Sequence, residues 1–506
     1  MKTIEHHHDT GIVAARVAKN SFFIFTSKLI EISANLVTTA LIARYLGVTS
    51  FGLFAIATAI STALVPLADF GVERIICREV ARNTRDASRY VGITMMLRLA
   101  FSAIILAAAA GILYGFSDGD ATFKAAVMIA IAGDLAYSVG TTYLAVVRSF
   151  ERMEYELIVN ILYKMSFLLI IIAVRIFDWG FAGIFYGRLL SALLFVGLAG
   201  LVMYGKFVKP AFVYDKKIAK FIIGESFPLA VSSLFITLIF KVDIFVLKWL
   251  GTASDVALFD VPNRMIMQAQ MLPVSFSMAL FPIMSRFAGA DADGARARFY
   301  NNAQKFLIVL AVPIAALLIS SGRPFIVVLF GSEFAEAATS LGILAPTIVF
   351  LFLISFQNLF ITAMNRQVLN TVSVTIALAL NFILDILLVP ILGYVGASIA
   401  TVVSYFILLV TNSFFIRKFG IKNDQGMFFV KTIIAGFFML AVMMINTENA
   451  LTTLIVRSIG AGAIYLAAMF ALRPLSAEDI EGIKAIVRRK KTVNASDPPM
   501  IRREHE

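Results

Sequence analysis

Of 506 residues, 60% are hydrophobic and only 15% charged, and the mean hydropathy of +0.88 excludes an ordinary soluble domain, which holds about 45–50% apolar residues. The net charge of +12 would suggest nucleic acid in a soluble chain, but basic residues flanking membrane spans account for it here, and no nucleic-acid partner is expected. A lone cysteine, Cys77, excludes an internal disulfide and a cysteine metal cluster.

The chain opens on a polar tail over residues 1–19, which includes His6, His7 and His8 and carries no cleavable signal pattern. A hydrocarbon core of about 30 Å takes about 20 apolar residues per helix. On that measure fourteen spans are predicted, at 21–46, 51–71, 91–115, 122–147, 155–175, 180–204, 220–247, 256–285, 303–321, 339–364, 368–391, 394–416, 428–445 and 450–472. Between the second and third, "VERIICREVARNTRDASRY" (72–90) repeats Arg74, Arg78, Arg85 and Arg89 at helical spacing with Ile75, Ile76 and Val80 elsewhere on the wheel. It reads either as a short amphipathic helix on an anionic leaflet or as an ordinary basic loop. After the last span, Ser476 and Asp479 form a capping-box-like start to a short helix before a basic tail.

Lysine and arginine test the span count independently. With the N-terminus inside, the inner segments hold 32 of the 44 cations and the outer loops only Lys124, Arg175, Lys248 and Arg323. This asymmetry predicts an even number of spans with both termini cytoplasmic. The other eight cations, Lys28, Arg44, Arg98, Lys164, Arg188, Lys241, Arg264 and Arg457, fall inside spans.

Two pairs of segments resemble each other at a nearly constant offset. "ARYLGVTSFGLF" (43–54) matches "LKWLGTASDVALF" (247–259), and "GFAG" (180–183) matches "GYVG" (393–396). Both place spans 1–6 over spans 7–12, and six spans per half make the repeats parallel. The expected architecture is therefore an all-α integral membrane protein of about 14 transmembrane helices. It has a cytoplasmic tail (1–19), an N-lobe of six helices (20–204), a basic linker (205–219), a C-lobe of six helices (220–418), two extra C-terminal helices (428–472) and a cytoplasmic basic tail (473–506).

Polar residues in the spans follow helical stripes. Lys28, Glu31, Asn35 and Thr38 share one face of the first span, and charges at that depth cost at least about 2.5–3.5 kcal/mol each, so they face the protein interior. Two readings stand for Lys28 and Glu31, a self-satisfied intrahelical pair or a lumen contact. Further stripes are Asp134, Ser138 and Thr141; Asn160 and Lys164; Arg264, Gln268 and Ser275; and Asn370, Ser373, Asn381 and Asp385. Cations outnumber acids, which suits an anionic substrate. All four histidines lie in the tails and no GxxxxGK[ST] loop is present, so neither an imidazole relay, a histidine metal site nor ATP hydrolysis is expected. No catalytic residue, metal ligand or cofactor is predicted; a secondary transporter remains.

The segments "LIARYLGVTSFGLFAIATAI" (41–60), "LADFGVERIICREVAR" (67–82), "ALFDVPNRMIMQAQMLPVSFSMALFPIMSR" (257–286) and "LNFILDILLVPILGYVGASIATVVSYFILL" (380–409) resemble the Wzx-type polysaccharide flippases of the MATE-like (MOP) exporter superfamily. That resemblance implies a multi-pass protein of the bacterial inner membrane, moving undecaprenyl-diphosphate-linked oligosaccharide to the outer leaflet for O-antigen, exopolysaccharide or capsule. The rival readings are a multidrug or cation antiporter and a peptidoglycan-precursor flippase. Expected partners are the lipid-linked oligosaccharide, membrane lipids, and a polysaccharide polymerase and chain-length regulator. In such a lumen Lys28, Arg98, Lys164, Arg188, Lys241 and Arg264 would meet the diphosphate or acidic sugars, Asn35, Gln268 and Asn381 the hydroxyls, and Glu31 or Asp134 a coupling ion or proton.

Overall fold

The computed structural model describes residues 2–115, 120–286, 293–421, 426–444 and 451–472, and every regular element among them is helical. In hydrocarbon each backbone N–H and C=O must find its partner inside the segment, and the helix is the single-segment solution. The helices are α1 (Lys2–Asp69), α2 (Val72–Arg82), α3 (Ala87–Gly115), α4 (Ala121–Ser149), α5 (Met153–Ile176), α6 (Gly180–Lys206), α7 (Lys216–Ile239), α8 (Val242–Leu250), α9 (Ala253–Ala269), α10 (Met271–Arg286), α11 (Asp293–Phe330), α12 (Ala337–Leu344), α13 (Thr347–Ala363), α14 (Gln367–Leu392), α15 (Tyr394–Arg417), α16 (Gly426–Met444) and α17 (Leu451–Leu472). The side chains of Lys28 and Arg457, and the whole of 473–506 with its expected helix start at Ser476, lie outside the described residues.

Eight of these segments are long and apolar enough to cross a membrane, nine if the pair α12 and α13, bent by 45°, is one span. Expected spans 3–6, 9, 11 and 12 each fall on one of these segments and span 10 on the bent pair, whereas spans 13 and 14 fall on α16 and α17, whose described apolar stretches are shorter (Gly426–Ala441 and Ser458–Leu472), so the count of fourteen is not reached among the described residues. Spans one and two share α1, which folds at Gly47 (φ 71°, ψ 176°), a left-handed φ that a residue with a Cβ rarely adopts. The seventh span breaks between α7 and α8 at Phe240 and Lys241, and the eighth breaks at Gln270, three residues before Pro273. Proline fits a first helical turn because its missing N–H has no intrahelical acceptor there. The basic segment after span two is a helix, α2, but its apolar residues Val72, Ile75, Ile76 and Val80 are buried against the protein, chiefly α4. Arg74, Arg82, Arg85 and Arg89 stay exposed at that basic end.

The two halves touch at both ends. At the far end, the Gly47 turn meets its repeat-equivalent before α9: Thr49 Oγ1 lies 3.0 Å from Ser254 Oγ, and Arg44 donates through Nε to the Leu329 carbonyl at 2.9 Å. At the basic end, Arg78 pairs with Glu225 at 3.1 Å, and the Phe70 ring stacks on Phe101 at 4.7 Å with Phe227 6.1 Å away. The far-end contact depends on a missing side chain, because a Cβ on Gly52 would stand 1.7 Å from the Ala253 carbonyl oxygen. Gly52→Val is therefore expected to hold the far ends apart. A disulfide formed readily between Thr49→Cys and Ser254→Cys should lose most of its yield when Gly52→Val is added, and an unchanged yield would refute this closure.

Candidate functional site

Midway between the two contact zones lies a polar cluster built from both halves. Thr58 and Ser61 of α1 are six and nine residues from Gly52, about 9 and 14 Å at 1.5 Å per residue. Ser61 Oγ donates to Asp134 Oδ2 on α4 at 2.7 Å, and Arg188 Nη2 on α6 donates to Asp134 Oδ1 at 2.5 Å. From α9, Arg264 donates through Nε to Asp260 and reaches across to Thr58 Oγ1 at 3.5 Å. Lys241, at the break between α7 and α8, lies within electrostatic range of Arg264, Asp260, Arg188 and Asp134.

The geometry separates the two signs of charge. The carboxylates are the covered partners, with side chains 11% exposed at Asp134 and 1% at Asp260, whereas Arg188 and Arg264 keep 21% and 29% open. Three cations face two acids, so the open surface is net positive, and among the described residues Lys241 has neither a salt bridge nor a hydrogen-bonded acid. Such a surface favours an anion by replacing its hydration with donors already in place.

An aromatic group packed inside the first half adjoins the cluster. Tyr137 and Tyr163 lie 5.0 Å apart by ring centroid, with Phe195 4.8 Å from Tyr137. Lys164 Nζ donates to Asn35 Oδ1 at 3.0 Å and sits 5.0 Å over the Tyr163 ring. Glu31 is in electrostatic reach of both tyrosines and has contacts of its own. Gln268, one turn after Arg264, buries an Oε1 that lacks a donor. The structure thus brings Asp134, Arg188, Lys241 and Arg264 together between the halves, with Gln268 one turn further along α9, and pairs Asn35 with Lys164 inside the first half.

Two expected lumen residues are placed elsewhere. Arg98 is 2% exposed; it pairs with Asp69 at 2.8 Å and donates to Thr142, so it welds α3 to α1 and α4 instead of meeting a substrate. Asn381 is buried inside the second half, where it donates to a carboxylate. Asp134, expected as a coupling carboxylate, is committed to Arg188 and Ser61.

A second polar centre holds that carboxylate. Asp243 on α8 accepts at Oδ1 from Asn381 Nδ2 of α14 and from Thr401 Oγ1 of α15, each at 3.0 Å. Asp385, one turn beyond Asn381, is fully buried against Asp243, and both its oxygens lack a donor. Two adjacent buried carboxylates cannot both stay ionised without a cation or a proton between them. A cavity of about 30 Å³ beside Asp243, also lined by Asn263, Asn381, Thr401 and Ser404, has room for one small ion or water. The donor set is all oxygen, and among the described residues no group of three or more His, Cys, Asp or Glu gathers, which fits a monovalent cation better than a divalent metal. The polar stripe of α14 pointed to this centre in the sequence; the partner Asp243, 138 residues earlier, did not.

A family model described as polysaccharide biosynthesis protein matches residues 17–288, and the MatE model matches residues 228–391. Among curated relatives, a probable low-salt glycan biosynthesis flippase, Agl15 of Haloferax volcanii, is 22% identical over 80% of this chain and 84% of its own. An uncharacterized membrane protein of Methanocaldococcus jannaschii is 26% identical over 41% of this chain and 42% of its own length. Among solved structures, the lipid II flippase MurJ in an inward closed conformation superposes with a TM-score of 0.69 at 14% identity, over 94% of this chain and 99% of that one. An inward-facing multidrug resistance MATE family transporter gives 0.65 at 15% identity, over 76% and 93% of the two chains.

Proposed function

Because the chain belongs to the polysaccharide biosynthesis protein family of MATE-like membrane transporters, we propose that it is a flippase carrying an undecaprenyl-diphosphate-linked oligosaccharide from the cytoplasmic to the outer leaflet of a bacterial inner membrane, in the synthesis of a surface polysaccharide. The observation that carries this reading is the cluster between the halves, where Arg188 and Arg264 stay partly open while their acids are covered and half-buried Lys241 stands beside them. A diphosphate cannot enter hydrocarbon unaided, since desolvating a charge costs far more than a hydroxyl, itself worth several kilocalories. Lys241 and the outer faces of Arg188 and Arg264 replace its water; Asn35 and Gln268 receive the sugar hydroxyls; the prenyl tail stays in lipid. The rigid halves rock about this cluster, opening the Gly52–Ala253 contact and the Arg78–Glu225 contact in turn.

The Asp243–Asp385 centre supplies the coupling. A monovalent cation bound there neutralises the carboxylates and holds α8, α14 and α15 in one packing. Replacing either acid by its amide is expected to leave the protein folded and to remove the dependence of flipping on the cation gradient, measured by substrate movement in proteoliposomes with and without that gradient. A retained dependence in both variants would contradict the assignment. For the function itself, a strain lacking this protein should lose surface glycan while its sensitivity to cationic dyes is unchanged. Dye hypersensitivity with intact glycan would instead identify a cation antiporter, and arrested growth a cell-wall precursor flippase.

A further inference from the structure

A second donor-poor polar cluster lies in the same half as the carboxylate pair. On α13, Asn358 accepts from Asn412 Nδ2 of α15 at Oδ1 (2.8 Å) and from Asn370 Nδ2 of α14 at its carbonyl (2.8 Å). The neighbouring Gln357 donates to Ser413 Oγ at 3.0 Å and to Tyr300 OH at 3.3 Å. Gln357 and Asn370 commit both of their N–H groups and Asn412 one, which leaves three acceptors, Gln357 Oε1, Asn370 Oδ1 and Asn412 Oδ1, buried without a donor. Gln357 is 2% exposed and Asn412 0%, so bulk water does not reach them. Leaving three such oxygens empty would cost about 1–3 kcal/mol each, so something with positive charge or donors occupies the cluster.

Its place in the fold is defined. The C-terminus of α14 is at the far end, because Tyr394 N donates to Asp255 Oδ1 at the start of α9, beside the Thr49–Ser254 contact. Asn370, near the start of α14, and Asn412, near the end of α15, are therefore at the basic end. From there polar positions climb one face of α14 through Ser373 to Asn381 and Asp385, and one face of α15 through Ser404 to Thr401. One stretch interrupts them. Ile354, Ala377 and Leu408 form a small buried apolar cluster between the amides and Asp243, with Ala377 and Leu408 also lining the cavity beside that acid. Along α15, Asn412 and Thr401 are about 16 Å apart at 1.5 Å per residue.

We propose that the amide cluster is a transit site for a sodium-sized monovalent cation, which enters at the basic end and reaches the Asp243–Asp385 pair past the Ile354–Ala377–Leu408 constriction. Uncharged amide oxygens replace part of an ion's hydration shell without the full charges that would trap it, the property a transit site requires. The cluster contains no carboxylate or histidine to pass a proton, which favours a metal cation. This inference rests on the carboxylate pair being the cation's destination.

The test uses the purified full-length protein and 22Na⁺, following association and dissociation by scintillation proximity. Ile354→Ala, which widens the constriction without touching the cavity beside Asp243, should speed both rates by the same factor, roughly tenfold, and leave Kd unchanged within about twofold, the signature of a gate. Asn412→Leu should slow both. An acceleration counted per bound ion cannot arise from misfolding, so Ile354→Ala remains decisive if Asn412→Leu does not fold. If Asp243→Asn abolishes binding but the Ile354 and Asn412 variants leave both rates unchanged, the transit site is overturned, its amides hold only water, and the destination stands. If Asp243→Asn and Asp385→Asn both bind 22Na⁺ as the parent does, the destination itself is wrong, and the transit inference falls with it.

Discussion

Lys241→Glu is expected to abolish glycan export at unchanged protein abundance. Lys241 sits at a break between two helices, so its side chain is not part of a continuous helix face, and among the described residues no acid is committed to it. Reversal converts a surface of three cations and two acids into one of two cations and three acids, which would repel the diphosphate of the proposed substrate. Removing one member of a close, partly dehydrated charge pair costs about 2–5 kcal/mol, which is roughly 30-fold or more in rate at limiting substrate. Lys241→Arg should retain most export, since the charge stays in place. The same reversal at Lys248, exposed at the end of α8, should have no comparable effect and serves as the control.

Arg98→Ala is expected to act on stability and not on recognition. The guanidinium is closed off from the lumen, paired with Asp69, and it bridges α1, α3 and α4. Truncation leaves a largely buried carboxylate uncompensated, at a cost of about 3–5 kcal/mol, enough to deplete a marginally stable protein from the membrane. Replacing both partners together, Arg98→Met with Asp69→Leu, removes the uncompensated charge and should restore abundance. The restored protein should export glycan per molecule at close to the parental rate. An abundant but inactive double variant would return Arg98 to the substrate path.

The sequence and the structure agree where one helix carries the information. Apolar run length placed the ends of α4, α6, α14 and α15 within a few residues, and the Gly47 turn followed from its place between two spans. The break at Lys241 was not legible, because 220–247 is one apolar run whose break carries neither proline nor glycine. Periodicity identifies a polar face but not what that face meets. Thr94, Arg98 and Ser102 share a stripe on α3 as regular as the one on α9, yet the first packs against protein and the second opens between the halves. The carboxylate pair was half visible: Asn381 and Asp385 stood out on α14, but pairing them with Asp243 requires the packing of α8 on α14, a long-range contact with no local signal. Asp134 shows the same limit from the other side, since its neutralising partner Arg188 comes from a different helix.

In the proposed function, the cationic cluster between the halves carries an anionic lipid-linked glycan across the bilayer. The most direct measurement is flipping in proteoliposomes, with a fluorescent undecaprenyl-diphosphate oligosaccharide whose outer-leaflet fraction is read by quenching with a membrane-impermeant reductant. The parent protein should render nearly all the probe accessible, and Lys241→Glu, present in equal amount, should leave only the fraction seen in protein-free vesicles. Equal accessibility with the parent and with Lys241→Glu, or none with either, would contradict the account.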